Sequence, residues 1–221
     1  MRPLLLLAPV LLVCTACSKF GSEDGLTRVN GSVRVTATQP NGDAATVNGA
    51  ISIDDKAVFG SADTVNGDIW MGAGASGAST KTVNGNITLD TDARLKGEAT
   101  SVNGAITMNK GAEAGGPLST VNGNLFLNDA HVAGGLATVT GDIFVNSQSR
   151  VEGGIRVHKL PAGILLQGEH PPPRIVIGPG ATVQGALTFE RPVKLYVSDK
   201  ASIGPVSGAT PISFSGDKPP L

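Results

Sequence analysis

The chain has 221 residues, with 17 basic side chains against 18 acidic ones, and this balance excludes a general nucleic-acid surface, which needs a basic face. An apolar content of 40% excludes a disordered chain, while 4% aromatics and 30 glycines point to a thin core of small aliphatic residues with many turns. The length suits one large domain or two small ones.

In chain order, the first element is an export signal over residues 1–16. Met1-Arg2 supplies one positive charge, and the apolar run PLLLLAPVLLV of 11 residues is too short to span a bilayer but suits a signal-peptide core. CTAC follows, ending at Cys17. This stretch resembles a bacterial lipobox, with small Ala16 before a cysteine that is lipidated and becomes the new N-terminus. Cys14 stands where lipoboxes usually carry Leu. The resemblance implies diacylation at Cys17, which would provide the two chains that stable anchoring needs. Ser18 after the cysteine, rather than Asp, implies the outer membrane, on its periplasmic or surface side. Cys14 and Cys17 are the only cysteines, so the domain that follows holds no disulfide and no thiol chemistry. Residues 17–27 read as the lipidated end and a short tether.

The next span, 28–157, is built from a repeat. Glycines of a V-x-G phrase fall at Gly31, Gly49, Gly67, Gly85, Gly104, Gly123 and Gly141, at intervals of 18, 18, 18, 19, 19 and 18; Val183-Gln184-Gly185 reads as a degenerate copy. Two residues after each glycine stands an aliphatic (Val33, Ile51, Ile69, Ile87, Ile106, Leu125, Ile143). Two further on stands another (Val35, Ile53, Met71, Leu89, Met108, Leu127, Val145), and the positions between them read as polar or small. Such alternation predicts half-buried strands. A finer period of six links Val47, Ile53, Phe59, Val65 and Met71, and again Val139, Val145, Val151 and Val157. Three strands of six per turn make a triangular coil of 18–19 residues. The predicted fold is therefore all-β, a single-stranded parallel β-helix, its coils stacked about 4.8 Å apart into a rod roughly 50 Å long. Antiparallel hairpins at the Asn-Gly pairs fit less well, because the upstream flanks are polar and glycine-containing.

A structural ladder is expected at one corner. Asn30, Asn48, Asn66, Asn84, Asn103 and Asn122 precede the repeat glycines. Turned inward, they would satisfy corner backbone groups as an amide ladder. The glycines would supply the positive φ of a tight corner. Thr46, Thr64, Thr82, Thr120 and Thr138 would add a β-branched ladder.

The phrases VNGNITLDTDARLKGEATSVNG and RIVIGPGATVQGALTFE resemble bactofilins, the polymer-forming bacterial cytoskeletal proteins, over roughly residues 28–208. They are similar also to β-helical putative adhesins. The bactofilin likeness implies a right-handed β-helix that polymerises end to end without nucleotide, although typical bactofilins are cytoplasmic and lack an export signal. Ile177-Gly178-Pro179-Gly180-Ala181-Thr182 fits the left-handed hexapeptide acyltransferases, but Ile51, Ile69 and Ile87 stand where that family has small residues. The expectation is a right-handed coil.

Residues 158–174 read as a proline-rich loop leaving the rod, because Pro171, Pro172 and Pro173 cannot join a central ladder. Coils resume over 175–213. A tail over 214–221, carrying charge and prolines, would blunt the final strand edge and discourage end-to-end growth.

Catalytic chemistry is sparse. His131, His158 and His170 have no partner at a metal-ligand spacing and read as exposed or loop histidines. Five residues after the repeat glycines lies a column of Asp54, Asp90, Asn109, Asn128 and Asn146. It fits a Ca²⁺ ladder, but fits better a second corner whose Asx side chains cap the backbone. Trp70, Tyr196 and the six Phe read as scattered, with Phe189 in the core. No metal or cofactor is expected. The chain reads as a non-enzymatic, lipid-anchored scaffold or adhesion protein of the bacterial envelope, self-associating or meeting an envelope protein or glycan. The alternative is a β-helical enzyme acting on envelope polysaccharide, which would need carboxylates converging near the 158–174 loop.

Overall fold

The computed structural model describes residues 26–38, 42–159 and 171–219. Among them there is no helix, and every strand pairing is parallel. The coils run through two sheets and, from Ser76 onward, a third. The first sheet has ten strands, from Leu26–Asn30 to Val206–Ser207, and carries the segment before each Asn-Gly corner. The second, also of ten, runs from Val33–Val35 to Ile212–Phe214 and holds the alternating aliphatics. The third has seven short strands, from Ser76–Gly77 to Ser202–Ile203. This is a parallel β-solenoid of about nine turns, roughly 43 Å long for nine steps of strand spacing.

Register keeps like on like. In the second sheet Val33, Ile51, Ile69, Ile87, Ile106, Leu125, Ile143, Ile175 and Leu195 stack in one inward column. All are buried. No coil could close this core alone, since each strand is only a few residues long; the stack buries what a single turn leaves open. Where a ring intrudes, the next coil gives way: Phe59 fills the space over Gly77, whose own Cβ would meet that ring.

The period-six reading needs correction. Ile53, Phe59 and Met71 are buried, but Val47 and Val65 are half-buried on the outside, and their neighbours Thr46 and Thr64 face inward. Gly185 is not a copy of the Asn-Gly glycines either. It follows the third-sheet strand Thr182–Val183 and packs against Gly153 and Gly154, at the corner leading back to the first sheet.

The rod continues across the expected loop. Ile143 pairs with Ile175, 32 residues on, so with a normal coil of 18 the turn holds 32 − 18 = 14 extra residues. They enter between the strands Ile155–Val157 and Arg174–Ile177. Pro173 stands just before the resumed strand, where its missing N–H costs nothing. Its carbonyl accepts the Lys194 N–H at 2.9 Å. The tail does not lie across the last coil's edge. Asp217, Lys218 and Pro219 flank Phe144 and Val176 on the outer face of the second sheet, three and two coils back.

Candidate functional site

At the Asn-Gly corner the six asparagines form a ladder, each Nδ2 donating to the preceding coil's Oδ1 at 2.8–3.0 Å. Thr140 Oγ1 ends it by donating to Asn122 Oδ1 at 2.9 Å. The side chains are exposed, not inward, and they bond one another. The corner backbone is served instead by the buried hydroxyls one strand position inward. Thr46, Thr64 and Thr82 donate to the carbonyls of Gly31, Gly49 and Gly67 at 3.0 Å, and Ser101 and Thr120 to those of Gly85 and Gly104. Thr138 Oγ1 accepts the Gly141 N–H at 3.0 Å.

The glycines have a different purpose from the expected one. Among the repeat glycines only Gly31 has positive φ, at 105°. At Gly49, Gly67, Gly85, Gly104, Gly123 and Gly141 a Cβ would stand 1.7–2.3 Å from the preceding glycine's carbonyl oxygen. Glycine is required here because successive backbones touch.

Positive φ belongs to the second corner. Lys56, Gly74, Asp92, Gly111 and Gly180 adopt it at 57–75°. There Asp54, Asp90, Asn109 and Asn146 offer main-chain carbonyls to the N–H groups of Ala57, Ala93, Ala112 and Ser149, each three residues on. Asn109 Nδ2 reaches Asp90 Oδ1 at 3.4 Å, and Asn146 reaches Asn128 at 3.3 Å. The column serves turns. No group of three or more His, Cys, Asp or Glu placed to hold a metal occurs among the described residues.

Titratable clusters occupy two places. On the outer face of the third sheet Arg94, Glu113, His131 and Arg150 stack in register. Glu152 Oε1 meets His131 Nε2 at 3.1 Å and Arg150 Nε at 3.4 Å, beside a cavity of about 350 Å³. The His131 hydrogen bond, helped by Arg150, holds the Glu152 carboxyl below its usual range. At the root of the loop Glu190 takes the Lys159 N–H at 3.3 Å, Arg156 at 3.4 Å and His158 Nδ1 at 3.6 Å. Partial burial pushes the Glu190 carboxyl up; the Lys159 N–H, His158 and Arg156 more than offset this and leave it lowered. Asp142 accepts the Arg174 N–H at 2.8 Å where the chain rejoins the rod. So the two histidines that are described are paired, with glutamates 21 and 32 residues away. His170 and Cys17 lie outside the described residues.

The middle position of the second-sheet strands is not uniformly polar. One outward column reads Arg34, Ser52, Trp70, Thr88, Thr107, Phe126, Phe144, Val176, Tyr196, Ile212. Its second half is an unbroken apolar stripe. Phe126 and Phe144 stack with centroids 5.0 Å apart and planes 3° from parallel. The stripe was readable as the third residue after successive repeat glycines, where Trp70, Phe126 and Phe144 replace Ser and Thr.

Comparison with family models, with curated proteins and with solved structures finds no match.

Proposed function

We propose that the chain is a non-catalytic, lipid-anchored β-helical scaffold or adhesion protein of the bacterial cell envelope, held at the outer membrane through Cys17 and presenting a rigid rod to an envelope protein, a glycan or further copies of itself. The observation that carries this reading is the continuity of the solenoid: two ten-stranded parallel ladders run from the first described coil to the last and a third of seven strands runs from Ser76 onward, all keeping register across the 14 inserted residues. A rod of this kind offers long flat faces and two strand edges, and such edges favour pairing with further strands. The bactofilin likeness of the repeat phrases supports end-to-end growth. The polysaccharide-enzyme alternative gains no support at the loop root, where Glu190 and Asp142 are each bound to backbone N–H groups.

Electron microscopy with light scattering of the chain from Ser18 onward tests the reading. Filaments one rod wide, or a stable monomer that binds envelope material without altering it, are the expected results. Turnover of a cell-wall or surface glycan by the purified protein would overturn it. Cys17→Ser should move the full chain from the membrane fraction to the soluble one.

A further inference from the structure

We infer that the outer face of the second sheet, near the C-terminal end of the rod, binds a single long-chain carboxylate, its chain along the apolar stripe and its head at the adjoining cations. Three observations meet there. The stripe Phe126, Phe144, Val176, Tyr196, Ile212 spans four coil steps, about 19 Å at strand spacing, a length comparable with an extended acyl chain; Val176 at its centre is buried, Phe126, Phe144 and Tyr196 are half-buried and Ile212 is exposed. Beside it lies a cavity of about 970 Å³, with Phe144 and Val176 on one side and Lys218 and Pro219 of the tail on the other. Its lining is divided, with Phe144, Val176, Pro179 and Pro219 apolar and Asn146, Ser147, Arg174, Asp217 and Lys218 polar or charged, and that volume and division suit a small amphiphile. Arg174, which lines the cavity, stacks in register on Lys194 in the next coil. Among the described residues the side chains of Arg174, Lys194 and Lys218 have no ion pair or hydrogen bond, and the one acid in the lining is Asp217. Cations left unpaired beside an apolar channel select an anionic head over a neutral or cationic one.

Ring orientation decides between an acyl chain and a sugar. Phe126 and Phe144 stack face to face along the rod, and Val176 follows Phe144 in register. The ring faces that would carry a sugar are turned toward neighbouring coils, so the stripe presents edges and methyl groups. Such a surface is non-directional and apolar, which suits methylenes. The site is independent of whether the rod assembles.

Isothermal titration of the full chain bearing Cys17→Ser, so that it has no acyl group of its own, tests this with dodecanoate below its micelle concentration. Each buried methylene is worth about fourfold in affinity, so octanoate, four methylenes shorter, should bind roughly two-hundredfold more weakly. Dodecyltrimethylammonium, of equal chain length and opposite charge, should bind at least tenfold more weakly. Arg174→Gln and Lys218→Gln should each weaken dodecanoate about tenfold. Lys218 lies in the tail beyond the last strand, so its substitution leaves the coil ladders intact, and an unchanged unfolding midpoint checks this. No dodecanoate binding, equal binding of the ammonium, or unchanged affinity in both variants would overturn the inference. So would binding confined to vesicles of anionic phospholipid, which would make this face a membrane contact instead.

Discussion

Replacing Gly85 by alanine tests why the repeat keeps its glycines. The new Cβ would stand 1.9 Å from the Gly67 carbonyl oxygen, whereas ordinary contact begins at 3.4 Å, so the coils must part by 3.4 − 1.9 = 1.5 Å at that corner. Five bonds that cross this gap are Gly67 N–H to Asn84 O at 3.1 Å, Ile69 N–H to Asn86 O at 2.8 Å, Asn86 N–H to Asp68 Oδ1 at 2.7 Å, Thr82 Oγ1 to Gly67 O at 3.0 Å and Asn84 Nδ2 to Asn66 Oδ1 at 2.9 Å. Each is worth about 1 kcal/mol net, and overpacking alone costs about 1–3 kcal/mol, so the substitution should cost about 3 kcal/mol or more. For a domain of this size that lowers Tm by about 6–12 °C. Gly74 is the control. It has φ +66°, its Cβ would meet only Lys56 Cγ at 3.5 Å, and Lys56 and Asp92 hold the same conformation in other coils. Gly74→Ala should therefore cost about 1 kcal/mol, the left-handed penalty alone. Urea unfolding of both variants, in the chain from Ser18 onward, decides the matter. If Gly85→Ala costs no more than Gly74→Ala, the close-approach argument is wrong and the glycines serve conformation after all.

Three further outcomes can be measured by the same unfolding assay. Thr80 and Thr82 are both fully buried two residues apart, yet the Thr80 hydroxyl has no partner among the described residues while Thr82 donates to Gly67 O. Thr80→Val should therefore stabilise by about 1 kcal/mol and Thr82→Val destabilise by about as much or more; the same sign for both would refute the assignment. Gly77→Ala, which drives a Cβ into the Phe59 ring, should cost about 1–3 kcal/mol, and Phe59→Leu in the same chain should recover part of it; strict additivity would mean the two sites do not touch. The lowered Glu190 carboxyl contributes stability that is full above the ordinary glutamate value, about 4.5, and is lost as pH falls through the lower folded value. Glu190→Gln should flatten that part of the acid limb, and an unchanged limb would remove the carboxylate from the account.

The coil length, the parallel stacking and the inward aliphatics of the second sheet were legible because alternation and an 18-residue interval fix them together. Which neighbour of Asn-Gly faces the core was not. Hydropathy favours Val47 over Thr46, but the inward place adjoins the Gly31 carbonyl, and a small side chain bearing a hydroxyl (Thr in most coils, Ser101 in one) satisfies that oxygen where Val would not. The glycines misled for a similar reason. Positive φ favours glycine and backbone contact demands it, and only the distance between successive coils separates them. The glutamate contacts of His131 and His158 were hidden because their glutamates are remote in sequence and near only once register is known.

An averaged repeat describes what the solenoid needs and is silent about what it does not. Inward columns are held to a narrow set by packing, and the Asn, Thr and Gly columns by hydrogen bonds and contact. The outward middle position of the second sheet carries neither constraint, and its occupants Arg34, Ser52, Trp70, Thr88 and Thr107 show that this fold accepts polar and apolar residues there alike. A run of Phe126, Phe144, Val176, Tyr196 and Ile212 is thus not owed to folding. It places apolar side chains on an outer face, next to cations that have no partner among the described residues, in the part of the rod where the C-terminal tail turns back beside the sheet. In a protein built from one repeated coil, departures of this kind at unconstrained positions carry the functional information, and the ligand test at Arg174 and Lys218 addresses the largest of them.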